Sequence, residues 1–305
     1  MQYGWLAGAL VIGYATMAGV AVRRLLFPGL GRPCPPPLSW MESRAMELEG
    51  IRVHVSVYKM DGAGPVCVLQ HGLDECGGKL VAEAELLRRL GFGIVMMDLP
   101  GHGRSSWKPT TYGARESQLL QQVVHTLGLA DRVTLLWGRS VGAATVLRMA
   151  PNLPRVAGVI LDGMFDNPLR SIVRHVMERP RYRPFIPLLP GVLGTLYLFL
   201  MGAGATRFPI EIVETVNVPV LFITGSKDVG MPPRVQRRLL ARARHPESEM
   251  VEVPDAGHYG SFSKAPARFE AWLARYGAVR LESQPAELRL AGPAVIGESP
   301  RTQMA

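Results

Sequence analysis

Short apolar runs alternate with helical stretches along most of this chain, and this alternation constrains the fold more than any other feature. Such runs, each bounded by turn residues and followed by a helical pattern, are typical of buried strands in a parallel sheet covered on both faces. We therefore predict an α/β fold with a mostly parallel sheet and helices on both faces. Two extended runs, 46–49 and 51–58, come first. The later predicted strands cover residues 66–70, 94–98, 133–137, 156–162, 220–224 and 250–253.

The N-terminal residues 3–22 contain no charged side chain. A helix of this length rises about 30 Å, which matches the hydrocarbon core of a bilayer. Arg23, Arg24 and Arg32 follow the run and no lysine or arginine precedes it. The positive-inside tendency then places the rest of the chain on the cytoplasmic side. We expect an N-terminal transmembrane helix. There are two alternatives, a cleaved signal peptide and a buried helix of a soluble fold. A signal peptide would normally have basic residues before the apolar run.

Composition excludes several classes of protein. The chain has 305 residues, 19% of them charged, with a formal net charge of +9, so it is long enough for a sizeable core and is not a disordered chain. Cys34, Cys67 and Cys76 are too few for a disulfide framework and lack the spacing of a zinc site, so no metal or cofactor is expected. The basic surplus lies in two arginine clusters, 170–183 and 232–244. Neither cluster matches a known nucleic-acid-binding motif, so no nucleic-acid partner is expected.

The pentapeptide Gly138-Arg139-Ser140-Val141-Gly142 follows a predicted strand and precedes a predicted helix. This is the setting of a nucleophile elbow, where the flanking glycines avoid clashes with neighbouring backbone. The helix N-terminus behind the serine favours developing negative charge. Ser140 is therefore the candidate nucleophile.

Asp228 and His258 each follow a predicted strand, so the chain order is Ser, Asp, His, which is the order of the α/β-hydrolases. His258 can remove the Ser140 proton, and Asp228 can orient the imidazole. A loop aspartate is often only a turn residue, and a single histidine is more often structural. Asp162, which also follows a strand, is the alternative acid.

An oxyanion hole needs two backbone N–H groups aimed at one point. Val141 N–H, directly after the candidate nucleophile, is one. Leu73 N–H, in the His71-Gly72-Leu73 segment after the strand at 66–70, is the natural second. The alternative is that this segment is only a turn that ends the strand.

Residues 46–278 resemble the α/β-hydrolases. The stretch 71–106 resembles the monoglyceride lipase and lysophospholipase-like (serine aminopeptidase S33-type) branch, in which a His-Gly oxyanion loop precedes a helix, a strand and an Asp-x-x-Gly-His-Gly-x-Ser turn. That turn is residues 98–105 here. The resemblance implies a structural role for His102. Arg139 departs from the lipase pattern, and we expect this cation to interact with substrate or cap.

The resemblance also implies the α/β-hydrolase fold with an inserted cap, a triad of Ser140, Asp228 and His258, and oxyanion donors at Leu73 and Val141. A serine at the elbow argues against the branches that use a carboxylate nucleophile. The predicted division of the chain is an anchor (1–27), a proline-rich linker (28–45), a hydrolase core (46–162), a cap (163–216), the rest of the core (217–279) and a loose tail (280–305).

The cap holds a second uncharged stretch, 185–206, which we expect to be an apolar cap helix that either touches lipid or is buried over the core. We expect a membrane-associated serine hydrolase that cleaves esters or thioesters with an apolar acyl chain. A peptidase activity and a catalytically silent interaction module are the alternatives. The sequence does not predict an oligomeric state.

Overall fold

A computed structural model of the chain describes residues 2–27, 33–36, 38–60 and 64–276. The predicted tail at 280–305, Arg32 and part of the predicted linker lie outside the described residues.

Eight strands form a single sheet in the order β1-β2-β4-β3-β5-β6-β7-β8. The pairs β1–β2 and β2–β4 are antiparallel, and every other neighbouring pair is parallel. The predicted mostly parallel sheet is therefore confirmed. The strands are β1 (Glu42–Leu48), β2 (Ile51–Tyr58), β3 (Val66–Gln70), β4 (Gly93–Asp98), β5 (Val133–Arg139), β6 (Gly158–Asp162), β7 (Val220–Gly225) and β8 (Glu249–Val253).

Strands β3 to β7 are buried along their whole length, because helices cover both faces of the sheet. Alternate residues of β3 belong to two separate apolar clusters: Val66 and Val68 to one, Cys67 and Leu69 to the other. The helices are α1 (Gln2–Leu26), α2 (Val81–Arg89), α3 (Ala114–Thr126), α4 (Val141–Met149), α5 (Pro168–Met177), α6 (Leu189–Gly202), α7 (Pro209–Ile212), α8 (Pro233–Leu240), α9 (Ser261–Lys264) and α10 (Pro266–Tyr276).

The parallel strands fix where chemistry can occur. Their carboxyl ends meet along one edge of the sheet. The turns that follow β3, β5, β7 and β8 carry the candidate triad and oxyanion donors, and β6 ends at the alternative acid, Asp162. The segment predicted as the cap, between β6 and β7, holds α5, a 3₁₀ stretch at Pro180–Leu188, α6 and α7.

Helix α1 packs along α6 rather than standing away from the protein. The Tyr14 hydroxyl donates a hydrogen bond of 3.0 Å to the carbonyl of Pro187. One turn further along, Ala18 packs in an apolar cluster with Leu188 and Val192. At the end of the helix, the Thr110 N–H donates to the Leu26 carbonyl at 2.7 Å. The C-terminal half of α1 is therefore part of the packed structure.

A disulfide joins Cys34, in the segment after α1, to Cys76, in the turn after β3. The Cα atoms of the two cysteines lie 6.0 Å apart and the bond spans 42 positions of the chain. A Cβ added at Gly78 would lie 2.8 Å from the Pro35 carbonyl, so the two segments are in close contact beside the bond. The sequence indicated too few cysteines for a framework, and the described residues hold this single crosslink.

Candidate active site

Ser140 lies in the turn between β5 and α4, with a φ of 53° and a ψ of −114°. Such a backbone costs a residue other than glycine about 1–3 kcal/mol and is typical of functional turns. The turn is also crowded: a Cβ on Gly142 would lie 2.4 Å from the carbonyl oxygens of Gln70 and His71. A Cβ on Gly138 would lie 2.3 Å from the Gly142 carbonyl oxygen. The glycines are therefore required for the approach of the backbones, and Ser140 is held above the N-terminus of α4.

Asp228 and His258 are brought together by the turns after β7 and β8. The His258 Nδ1 and Asp228 Oδ2 atoms lie 2.7 Å apart, and Asp228 Oδ1 accepts a 2.9 Å hydrogen bond from the Met231 N–H. Burial alone would raise the pKa of Asp228, but the hydrogen bond with His258 and those from the Met231 and Gly230 backbone hold it below its usual value. Asp228 is thus an ionised partner suited to orienting the imidazole.

The end of β6 brings the serine and histidine turns close to each other. The Ser140 N–H donates to the Asp162 carbonyl at 2.8 Å. The next residue, Gly163, has a φ of 61°, and a Cβ there would lie 3.0 Å from His258 Nδ1. Among the described residues no hydrogen bond joins Ser140 Oγ to His258; such bonds are often long until substrate is bound.

Asp162, the alternative acid, occupies a different environment. Its carboxylate is buried and lies 3.7 Å from Arg139 Nε. Burial raises the pKa of Asp162 to about 6, although the nearby Arg139 charge works in the opposite direction. The His258 Nδ1–H donates its hydrogen bond to Asp228, so the geometry favours Asp228 as the partner of the imidazole.

The His71 ring fixes the turn after β3 through two hydrogen bonds. The Leu99 N–H donates to His71 Nε2 at 2.9 Å, which leaves the proton on Nδ1 to donate to the Gly72 carbonyl at 2.8 Å. Burial lowers the pKa of His71, which favours this neutral form. Within the described part of the chain, neither the Leu73 N–H nor the Val141 N–H donates to a protein acceptor. Both are thus available to a substrate oxygen.

His102 is buried, and its Nδ1 lies 3.0 Å from the Pro100 carbonyl. Burial lowers the pKa of His102 to about 4. The same turn is held by Asp98, whose carboxylate accepts the N–H groups of Gly77 at 2.8 Å and Arg104 at 3.0 Å. These contacts agree with the structural role that the resemblance implied for His102.

The expectation that Arg139 interacts with substrate or cap was wrong. Its side chain is 8% exposed and is directed into the protein, where it donates to Glu75 at 2.9 Å and to Glu83. The carboxylates explain the direction, since a buried guanidinium must be paired. Sequence reasoning did not identify Glu75 or Glu83, because neither stands near Arg139 in the chain.

A model of the Alpha/beta hydrolase family matches residues 66–272. A similar curated protein is the alpha/beta hydrolase domain-containing protein WAV2 of Arabidopsis thaliana, 26% identical over 84% of this chain and 86% of its own length. The pimeloyl-[acyl-carrier protein] methyl ester esterase of Xylella fastidiosa is 34% identical over 34% of this chain and 38% of its own.

Among solved structures, the esterase Pf2001 of Pyrococcus furiosus has a similar fold. It superposes with a TM-score of 0.61 at 17% identity, over 80% of this chain and 99% of its own. That likeness shows the fold alone. The family match covers the sheet from β3 onward and every candidate site residue. This chain belongs to the alpha/beta hydrolase family.

Proposed function

We propose that this protein is a membrane-associated serine hydrolase that cleaves carboxylic esters or thioesters with an apolar acyl chain. The observation that carries the proposal is the elbow geometry of Ser140, at positive φ on the N-terminus of α4, beside a His258–Asp228 pair separated by 2.7 Å. The name of the Xylella esterase supports the reaction class. Membership of the monoglyceride lipase-like branch stays a prediction.

In the proposed mechanism, Ser140 Oγ attacks the carbonyl carbon while His258 takes the hydroxyl proton. Asp228 holds the imidazole and stabilises its charged form. The N–H groups of Leu73 and Val141 bind the oxyanion of the tetrahedral intermediate. As the intermediate collapses, His258 returns the proton to the leaving alcohol or thiol and an acyl-enzyme remains. Water, deprotonated by His258, then attacks the acyl-enzyme, and His258 returns that proton to Ser140 Oγ as the acid leaves.

The apolar acyl preference and the membrane association rest on the same surface. Two stretches of the described chain, Gly8–Leu26 and Tyr182–Gly202, are long and apolar enough to cross a membrane. Core helices and signal sequences meet the same criterion. However, Leu10 and Ile12 on α1 are each 69% exposed and Leu198 on α6 is 71% exposed, which is costly in water. Contact with lipid would cover them and would supply acyl substrates.

The arginine clusters contribute less to such a surface than their number indicates. In the cluster at 232–244, Arg234, Arg237, Arg238 and Arg242 each form an ion pair with an acidic side chain. In the cluster at 170–183, Arg170 and Arg174 pair with the buried Asp166. We therefore assign contact with anionic lipid to residues 179–183, the end of this cluster that precedes α6 in the chain.

The proposal predicts labelling by a fluorophosphonate probe and a preference among acyl chains. We expect wild-type protein in detergent to be labelled and Ser140→Ala to be unlabelled, because the probe reacts with an activated serine. We expect kcat/KM on p-nitrophenyl esters to rise from acetyl to decanoyl. Ser105→Ala is the matched control, since Ser105 Oγ donates to the Asp98 carbonyl outside the proposed machinery. Unlabelled wild type would contradict the enzyme, and a preference for acetyl would contradict the apolar chain.

The side of the membrane on which the core lies is a separate prediction. Arg23 and Arg24, in the last turn of α1, favour the cytoplasm, which we retain as the proposal. The Cys34–Cys76 disulfide argues against it, because disulfides persist mainly in oxidising compartments.

Cytoplasmic placement predicts reduced Cys34 and Cys76 in carbonate-washed membranes. After denaturation in N-ethylmaleimide, reduction and exposure to a polyethylene-glycol maleimide, a cytoplasmic protein would show no shift in gel mobility, since all its thiols would have been blocked first. A shift equivalent to two thiols, lost in Cys34→Ser, would place the core on the oxidising side.

Loss of the protein from the membranes in the carbonate wash would contradict the N-terminal anchor.

A further inference from the structure

Four charged side chains lie together next to the elbow; three are buried and the fourth, Glu75, is partly buried. Arg139, the residue before the candidate nucleophile, is 8% exposed, and its guanidinium faces three carboxylates. Glu75 lies 2.9 Å from Nη1, Glu83 accepts from Nη2, and Asp162 lies 3.7 Å from Nε. Such a cluster is not explained by stability, because buried ion pairs contribute little net free energy compared with well-packed apolar side chains.

Glu75 differs from the other two carboxylates because it also binds the turn that carries an oxyanion donor. Its Oε1 accepts from Arg139, and its Oε2 accepts a 3.0 Å hydrogen bond from the Gly72 N–H. One carboxylate therefore connects the side chain of the elbow to the backbone just before Leu73. Both hydrogen bonds involve an ionised group, which makes them stronger than neutral ones.

The turn and the elbow are also in direct contact at this point. A Cβ added at Gly72 would lie 3.1 Å from the Arg139 carbonyl oxygen and 3.2 Å from Ser140 Cβ. Rotation of the backbone around Gly72 would carry the Leu73 N–H away from the Val141 N–H, which α4 holds in place. An oxyanion hole works only while both donors point at one oxygen, and small displacements of a positioned group are costly in rate.

From this geometry we infer that Glu75 and Arg139 are positioning residues. They hold the Leu73 N–H so that it points at the same oxyanion as the Val141 N–H. Neither side chain is assigned contact with the substrate. The inference rests on the proposed function, since it assigns these residues a part in the same reaction. Arg139 is the donor that aims the Glu75 carboxylate, and Glu75 is the acceptor that fixes the turn.

The inference predicts a loss of transition-state binding with little loss of substrate binding. In Glu75→Gln the side chain keeps its shape and loses its charge, and we expect kcat to fall about 10- to 100-fold while KM changes less than about 3-fold. A trifluoromethyl ketone, which adds to Ser140 and forms an oxyanion, should lose affinity by the same factor as kcat/KM. The melting temperature shows whether each variant is folded.

Glu83→Gln is the matched comparison, because Glu83 pairs with the same arginine from α2 and makes no described bond to the turn. We expect its kcat to remain within about 3-fold of wild type, whatever its stability. Removing Arg139 entirely would leave the buried carboxylates unpaired and risks unfolding, so Arg139→Lys is the variant to use. Its loss of kcat should not add to that of Glu75→Gln in the double variant, since both act through one contact.

Inactive wild type, unlabelled by fluorophosphonate, would refute the proposed function itself. Active wild type with an unchanged kcat and ketone affinity in folded Glu75→Gln would refute this inference alone. An equal loss in Glu83→Gln would also refute it, because the effect would then belong to the charge cluster and not to the bridge. Additive losses in the double variant would show that Glu75 and Arg139 act separately, contrary to the inference.

Discussion

Replacing Ser140 with alanine is expected to lower kcat for an ester by about 10⁴-fold or more, because the variant loses the atom that forms the acyl bond. The exchange keeps a Cβ on a backbone with a φ of 53°, so the elbow carries the same steric constraint as before. We therefore expect a melting temperature close to that of wild type. Steady-state hydrolysis of a decanoyl ester and thermal unfolding of the same preparation measure the two effects.

The partner of the serine provides the control. If Ser140 and His258 act as one unit, then Ser140→Ala, His258→Ala and the double variant should all show nearly the same residual rate. Losses that multiply in the double variant would contradict a shared step. A Ser140→Ala variant that keeps more than a tenth of the wild-type kcat would show that another group is the nucleophile.

Replacing Asp228 with asparagine is expected to lower kcat by about 10⁴-fold, because the amide would stabilise the wrong tautomer of His258 and could not balance the imidazolium charge. Asp228 and His258 are joined by a 2.7 Å contact, and the bonds that hold the pKa of Asp228 below its usual value keep it ionised at neutral pH. The measurement is kcat between pH 6 and 9, where the wild-type carboxylate does not change its charge.

Asp162→Asn is the matched variant for this experiment. Both aspartates lie at the carboxyl ends of parallel strands, but Asp162 lies against Arg139 and does not hydrogen-bond the imidazole. We expect Asp162→Asn to lower kcat by no more than about 10-fold, in line with an indirect effect on a neighbouring charge cluster. If Asp162→Asn lowered kcat more than Asp228→Asn, Asp162 and not Asp228 would be the acid of the triad.

The local patterns of the sequence predicted the sheet and the elbow well. Short apolar runs bounded by turns have few ways to be buried, so the strand that ends at Arg139 could be located from residues close to it in the chain. The glycines around Ser140 predicted a turn with close backbone contacts, and the distances from Gly138 and Gly142 to neighbouring carbonyls show why. Both features depend on interactions within a few positions of the chain.

Features that depend on distant partners could not be predicted in the same way. The direction of the Arg139 side chain is set by Glu75 and Glu83, which are 64 and 56 positions away, and no periodicity connects them. The Cys34–Cys76 bond joins a proline-rich segment to a turn whose path the sequence does not define. The packing of α1 on α6 joins the beginning of the chain to the predicted cap, and each helix alone has the composition of a membrane span.

The docking of α1 has a mechanical consequence if the helix is embedded in a bilayer. Its last turn is bonded to the core, with the Tyr112 hydroxyl donating to the Leu25 carbonyl at 3.0 Å, and its middle is bonded to the stretch that precedes α6. A helix attached at two levels cannot swivel relative to the domain it carries. The orientation of α1 in the bilayer would then set the tilt and height of the whole domain above the lipid. Ser140 would therefore face the bilayer at a constant angle.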